Sequence, residues 1–522
     1  RLVPNLFPAS ERQIGDAPTD RITLKRTHQA IVVGAGVAGL AAAIRLAAKG
    51  RRVRLFEAAE EPGGKLRERR EKGYRFDLGP SLFTWPQLVQ ELDDFARVHR
   101  PELELPEPFA FETLDRSTHY FWEDGKSLVA WSDRQSFIQS AKEAFGSEAD
   151  ALESHIQHSG QSFEATRQIF LEQSLHEWKG SGKSAWQAVL PFVHRLPWLG
   201  TLHRWNKRRL KEPHLVQLFD RYATYNGSDP HRAPAMLHVI PHLEHGLGTH
   251  FPKGGMHGIT QHLTALAEAL GVEIQCNAPV ARIAHESGKI KGIALEKAPH
   301  DIIPADLVIS NSDVQPTYRK LLADLPAPEK ILRQERSTSG VIFYWGVQAE
   351  HSKLHLHNIL FSNDYQKEFE AIRRTDAPGD DPTVYINISS KVQPTDAPDG
   401  CENWFVMVNV GANPDRVEDL IPEIRRRVLA KIQRTLGTDI APLITSEFTL
   451  TPKGLQDRTS SWRGALYGAS SNSTMAAFLR HRNRSTLLEG LYFCGGSVHP
   501  GGGIPLCLLS ARIATELTDS HS

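Results

Sequence analysis

Apolar positions in this chain fall into recognisable rhythms, and the first of them sits near the N-terminal end. The unbroken run Ala30-Ile31-Val32-Val33 predicts a parallel strand buried on both faces. It leads into Gly34-Ala35-Gly36-Val37-Ala38-Gly39, after which Val37, Leu40, Ala41, Ile44 and Ala48 recur at helical spacing up to a stop at Gly50. A second strand, Val53 to Phe56, ends at Glu57. The α/β pattern resumes at Phe251 with the turn Lys253-Gly254-Gly255 and a helix from Ile259 to Leu270, closed by Gly271. Strands come next at Val272–Ile274, Pro279–Ile283, Ile290–Glu296 and Asp306–Ser310, the last expected to lie parallel to the first. The pattern returns once more at Leu491–Cys494, which ends in Gly495-Gly496 and a glycine loop before an apolar helix, Leu506 to Leu517.

Two long stretches have other patterns. Residues 85 to 215 lose the strand alternation and read as mostly helical. Residues 340 to 450 alternate, with strands at Val341–Val347, Thr383–Ile388 and Trp404–Val410 and a charged helix around 416 to 435. That combination predicts an antiparallel sheet with a helix laid against it. Between the two, Arg221 to Pro230 and Pro241 to Gly246 carry polar side chains among apolar neighbours, as the wall of a pocket would.

The first glycine turn has a definite chemistry. Gly34 permits the tight turn, Gly36 lets the backbone approach a pyrophosphate, and Gly39 lets the helix pack on the strand. The helix N-terminus offers free amides and a partial positive charge to phosphates. Glu57 is placed to accept hydrogen bonds from an adenosine ribose. After Glu57 come Ala-Ala-Glu-Glu-Pro and then Gly63-Gly64-Lys65, an extension that resembles the two-dinucleotide-binding flavoproteins of the glutathione reductase type. That favours FAD over NAD. The fold expected is therefore α/β, a glutathione-reductase-like two-layer ββα FAD-binding fold with an inserted helical region and an antiparallel-sheet substrate domain.

The expected division gives residues 1–28 to an N-terminal extension and 29–84, 251–320 and 485–522 to the FAD-binding domain. Residues 85–250 form a helical membrane and substrate region, and 321–484 a substrate domain. The C-terminal loop Ser497-Val-His499-Pro500-Gly501-Gly502-Gly503-Ile504-Pro505 offers backbone amides suited to the electron-rich edge of a reduced flavin.

Composition narrows the function by exclusion. The 61 basic and 61 acidic residues balance, which argues against nucleic acid as a partner. The four cysteines and 24 histidines make no zinc or other metal-ligand spacing, so no metal is expected. No apolar run is long enough to cross a bilayer. Trp186 to Lys211 nevertheless mixes tryptophans and leucines with Arg195, Arg204, Lys207, Arg208, Arg209 and Lys211, the pairing that attachment to a membrane surface requires. A core helix pair with a solvated basic end fits the same pattern. The location expected is cytoplasmic and bacterial, at the membrane periphery.

Four segments resemble the carotenoid desaturases of the bacterial phytoene desaturase type. They are residues 34 to 65, Tyr225-Asn-Gly-Ser-Asp-Pro with the later Ile-Pro-His-Leu-Glu, Pro252-Lys-Gly-Gly-Met, and Gly495-Gly-Ser-Val-His-Pro-Gly-Gly-Gly-Ile-Pro-Leu. The last loop is more similar to the hydroxycarotenoid 3,4-desaturases, also called methoxyneurosporene dehydrogenases, than to phytoene desaturases. The resemblance implies FAD-dependent 3,4-desaturation of an acyclic 1-hydroxycarotenoid. Hydride leaves for flavin N5, and an adjacent proton leaves the resulting allylic cation. It implies FAD contacts at Gly34, Gly36, Gly39, Glu57, Gly63, Gly64, Lys65, Val280, Gly496, Gly503 and Ile504. Val280 enters because Pro279 to Ile283 matches the family segment beside the adenine. Glu244, His242 and Asp229 are candidates for the proton acceptor, or for holding a hydroxyl at the substrate end.

Oxygen or a quinone is the expected electron acceptor. NAD(P) is not, because there is no second G-x-G-x-x-G. Phytoene desaturation and flavin-dependent cis–trans isomerisation of a carotenoid remain open alternatives. An amine oxidase, or a flavin-free escort protein for prenylated partners, lies further off.

Overall fold

The computed structural model describes residues 29–177, 200–473 and 480–519. Residues Trp186 to Leu199 of the basic aromatic segment lie outside the described residues.

The first apolar run does form a strand, Gln29–Val33, at the centre of a five-stranded sheet. The order across the sheet is Glu273–Gln275, Arg52–Phe56, Gln29–Val33, Leu307–Ser310, Leu491–Phe493, and every pairing is parallel. Successive side chains serve opposite faces. Ala30 and Val32 join a core built by the helices, whereas Ile31 and Val33 join a second core with Val280, Ile283 and Ile293. Those last three belong to an antiparallel sheet of Val280–Glu286, Lys289–Leu295 and Ala298–Pro304, which covers the face away from the helices.

The helix after the glycine turn, Val37–Ala48, is buried almost all round. Ala41, Ala42, Ala43, Ala47 and Ala48 keep it slim, so two helices pack against it closely: His257–Ala269 and the C-terminal Ile504–Asp519. An all-round apolar helix of this kind has to be central.

A second sheet has seven strands, in the order Ile444–Leu450, Ser339–Val347, Glu402–Val410, Val384–Ile388, His357–Leu360, Arg116–Phe121, Ser127–Trp131. The helix Ile421–Leu436 packs Ile424, Val428 and Ile432 into the core of this sheet. Here the structure departs from the helical reading of residues 85 to 215. That stretch supplies a hairpin, Arg116–Phe121 with Ser127–Trp131, whose first strand pairs parallel to His357–Leu360. The reason lies in its buried positions. Ser117 and Thr118 are buried polar residues, so hydrophobic alternation is missing, and Ser117 Oγ is satisfied by Thr249 Oγ1 at 2.7 Å. Tertiary pairing, which the pattern does not encode, makes the strand. The described remainder of the region holds one more short strand, Phe111–Thr113, and the helices Gln87–His99, Arg134–Phe145, Leu152–Phe170 and Leu202–Arg209.

One acid beside this sheet makes stability depend on pH. Glu368, on the helix Tyr365–Thr375, is buried, and it accepts hydrogen bonds from Ser362 Oγ at 2.7 Å, Thr383 Oγ1 at 2.6 Å and Thr383 N at 3.0 Å. Burial outweighs those bonds and pushes the carboxyl from 4.5 up to about 7. Between these values the folded protein holds a proton that the unfolded chain has lost. Stability is therefore full below the unfolded value and falls as pH rises through the window, by roughly 3 kcal/mol in all. Denaturant titrations across that range should show the decline, and Glu368→Gln should remove it. An equal decline in the variant would refute the assignment.

Candidate active site

The glycine turns meet at the C-terminal end of the parallel sheet, where open α/β sheets bind ligands. Gly34 has φ +96° and donates its amide to Phe56 O at 2.8 Å, which ties the turn to the second strand. Gly36 caps the helix in extended conformation with no side-chain cap, and no acidic residue occupies the first turn. The helix therefore keeps its N-terminal field for a ligand. A Cβ on Gly39 would stand 2.0 Å from Gly34 O, so only glycine lets helix and turn approach.

Gly63 donates to Ala35 O at 2.9 Å, and a Cβ on Gly64 would lie 3.3 Å from Gly36 Cα. The two glycine turns thus abut and form one cradle. Glu57 closes it: Oε2 accepts from Ala35 N at 2.7 Å and Oε1 from Ala59 N at 2.9 Å. Its backbone carbonyl accepts from Ala278 N at 2.8 Å, which brings in the strand that begins at Val280.

A cavity of about 370 Å³ opens beside this cradle. One end is walled by Lys65, Tyr467, Arg480, Gly502, Gly503 and Ile504. Gly496 is adjacent, since a Cβ there would lie 3.4 Å from Gly502 Cα. Lys65 Nζ donates to Leu466 O at 2.7 Å, and Arg480 Nη1 to Tyr467 O at 2.9 Å. Burial lowers both cations, Arg480 to about 10. Among the described residues their hydrogen-bond partners are carbonyls and not carboxylates. A buried and a partly buried cation without a contacting anion among the described residues suit a group that brings its own negative charge. Elsewhere the wall is mostly apolar, with Phe163, Leu237, Ile240 and Leu243 from the inserted region and Ile342, Phe405, Met407 and Leu450 from the large sheet.

The segment read as a pocket wall does line this cavity, through Arg221, Thr224, Tyr225 and Asn226. The three candidate proton acceptors sit elsewhere. Glu244 is fully buried beneath Arg221. It accepts from Arg221 Nη2 at 3.2 Å, Tyr222 Oη at 2.9 Å and Ser117 Oγ at 3.2 Å. Burial alone would raise its carboxyl, but the Arg221 charge and these bonds hold it below the ordinary value. His242 packs on Phe163, ring centres 4.9 Å apart, and burial with Arg134 and Arg167 nearby lowers it to about 4. Asp229 turns back on its own loop, accepting from His231 N at 2.8 Å. No carboxylate is among the described residues that line the cavity.

Two groups escaped the sequence reading. Asn311 donates from Nδ2 to Gly34 O at 3.2 Å and sits at the end of the strand Leu307–Ser310, a position from which it could have been inferred. Arg480 carries no such signal, for it lies in an irregular segment between two strands.

A family model described as flavin containing amine oxidoreductase matches residues 37–517. The chain belongs to this family. Within these flavin-dependent oxidoreductases it is 49% identical to a 1-hydroxycarotenoid 3,4-desaturase of a Flavobacterium species, over 94% of this chain and 98% of that one. It is 32% identical to a 4,4'-diapolycopene oxygenase of a Methylomonas species, over 94% and 97% of the two chains. These relatives place it in the carotenoid desaturase branch of the family.

Among solved structures, an oxidoreductase of Methanosarcina mazei superposes with a TM-score of 0.62 at 18% identity, covering 94% of this chain and 100% of its own. A putrescine oxidase double mutant gives 0.61 at 15% identity, covering 94% and 98%. Both share the fold. The cofactor of this flavin-dependent oxidoreductase is FAD. The paired glycine turns, the uncapped helix and the two cations fit it. Gly34, Gly36, Gly39, Glu57, Gly63 and Gly64 would hold the dinucleotide, and Lys65 with Gly496, Gly503 and Ile504 the flavin end.

Proposed function

We propose that this enzyme introduces the 3,4 double bond into an acyclic 1-hydroxycarotenoid, the reaction named for its 49%-identical relative. The observation that carries the reading is a cavity whose wall passes from the Gly502–Ile504 loop to apolar side chains of both the inserted region and the large sheet. Bound FAD supplies a two-electron acceptor for hydride leaving an allylic carbon. The protein's share is placement. Apolar walls hold the polyene and keep out water, and Lys65 and Arg480 put positive charge beside the C-terminal glycine loop. A proton next to an allylic cation is acidic enough to leave for a weak base, so a cavity without a carboxylate suffices.

Such a substrate is delivered from lipid, and the reading includes attachment to a membrane surface. It is supported by the exposed Arg204, Lys207, Arg208 and Lys211 on and just after the helix Leu202–Arg209. Among the described residues no helix is long and apolar enough to cross a membrane. Oxygen or a quinone would then take the electrons.

The test is anaerobic incubation of FAD-loaded protein in liposomes with a 1-hydroxycarotenoid and, separately, with phytoene. Flavin bleaching and a product lighter by two hydrogens are expected from the hydroxylated substrate. Oxidation of phytoene alone would move the enzyme to the other desaturase group, and product of unchanged mass would make it an isomerase.

A further inference from the structure

The Arg221 segment, whose residues line the cavity, carries two unsatisfied polar atoms. Arg221 Nε and Tyr225 Oη are both buried without a hydrogen-bond partner among the described residues, and both residues line the cavity. Arg221 Nη2 is committed. It donates to Tyr120 Oη at 2.9 Å and to Glu244, while the guanidinium lies over the rings of Tyr222 at 4.6 Å and Tyr225 at 5.4 Å. The side chain is therefore held in place, with Nε–H among the donors that have no hydrogen-bond partner among the described residues. Buried donors are nearly always paired, so an idle one on a cavity wall points to a ligand.

The position of the segment is also informative. Gly227, two residues beyond Tyr225, packs so tightly on Ser337 that a Cβ would fall 2.6 Å from it. Ser337 Oγ in turn accepts from Tyr467 N at 3.0 Å, and Tyr467 packs on Gly502. The unsatisfied pair is thus tethered to the redox end of the cavity through a short chain of contacts.

We propose that Arg221 and Tyr225 form the subsite for a tertiary hydroxyl at the end of the polyene, an inference that rests on the function proposed above. A hydroxyl matches the pair: its oxygen accepts from Arg221 Nε–H and its hydrogen is donated to Tyr225 Oη. The carbon bearing the hydroxyl lies two carbons from the bond to be oxidised. Anchoring it sets which bond reaches the flavin end, so the pair governs the position of desaturation as well as binding. A polyene ending in hydrocarbon would leave both atoms buried and unpaired, and such a site rejects the analogue that lacks the polar group. Glu244 is then a positioning residue, which holds Arg221 by its other nitrogen.

The experiment compares kcat/KM for a 1-hydroxylated polyene and for the same polyene without the hydroxyl, in liposomes, for wild type, Tyr225→Phe and Arg221→Lys. The Tyr225 hydroxyl has no hydrogen-bond partner among the described residues, so removing it breaks no bond there. Preference for the hydroxylated substrate should fall about 10-fold in Tyr225→Phe, equivalent to about 1.4 kcal/mol. Arg221→Lys keeps a charge for Glu244 but lacks Nε, and its preference should fall too. If wild type prefers the hydroxylated substrate and both variants keep the full preference, the subsite is wrong and the function stands. If wild type does not oxidise the hydroxylated substrate, the function fails and takes the subsite with it.

Discussion

Gly39→Ala is expected to yield protein that has lost its flavin. The added methyl would stand 2.0 Å from Gly34 O and 2.9 Å from Asn311 Nδ2. The first of these neighbours is backbone, so relief requires the turn itself to move. Gly34 cannot follow easily, because its amide is tied to Phe56 O and its carbonyl to Asn311. Helix Val37–Ala48 cannot withdraw either, since it is enclosed by two other helices. Displacement of the turn carries Gly36 and its free amides away from the phosphates they would bind. We expect FAD affinity to fall by about 100-fold or more, equivalent to about 2.7 kcal/mol. The ratio of flavin to protein absorbance after gel filtration measures it, with circular dichroism to check that the chain has folded. A folded variant with full flavin content would mean that the cradle tolerates bulk, and that the fingerprint glycines serve packing alone.

Glu244→Ala should be the most destabilising change in the inserted region. It removes the only carboxylate in direct contact with Arg221 among the described residues and leaves a buried guanidinium uncompensated. Breaking a buried pair in this way costs about 3–5 kcal/mol. Glu244→Gln keeps an acceptor for Tyr222 and Ser117 and should lose less. The pair of variants also separates two roles for Glu244. If it only holds Arg221, Glu244→Gln should keep the rate of flavin reduction within about 10-fold of wild type, the value of one weakened hydrogen bond. A folded, flavin-replete Glu244→Gln with reduction slowed by about 1,000-fold would make the carboxylate the proton acceptor, despite its place behind Arg221.

The glycine turns that build the cradle were legible in the sequence, and most of the side chains that line the cavity were not. Gly34, Gly36, Gly39 and Glu57 keep a fixed spacing because one local unit of strand, turn, helix and strand positions all of them. The same is true of the parallel neighbour Leu307–Ser310, whose apolar run announces burial on both faces. Arg480 and Tyr467 reach the cavity from irregular chain, where no periodicity marks them. Glu244 shows a different limit: polar residues among apolar ones indicate a buried site but not which side of the wall each faces, and Glu244 lies behind Arg221. The hairpin at Arg116–Trp131 was hidden because Ser117 and Thr118 fill buried positions that usually hold hydrocarbon.

The strand order of the parallel sheet has a consequence for biosynthesis. Its edge strand Leu491–Phe493 and the covering helix Ile504–Asp519 are among the last described segments to leave the ribosome. Until they emerge, Leu307–Ser310 presents unpaired backbone along one side, and open strand edges are templates for aggregation. At ~5–20 residues per second, that edge stays uncovered for roughly 10–40 s. The other five strands of the seven-stranded sheet are translated in the interval, so that sheet can be completed ahead of its neighbour. A chain that still lacks its last segments is thus a complete seven-stranded sheet joined to an incomplete parallel one.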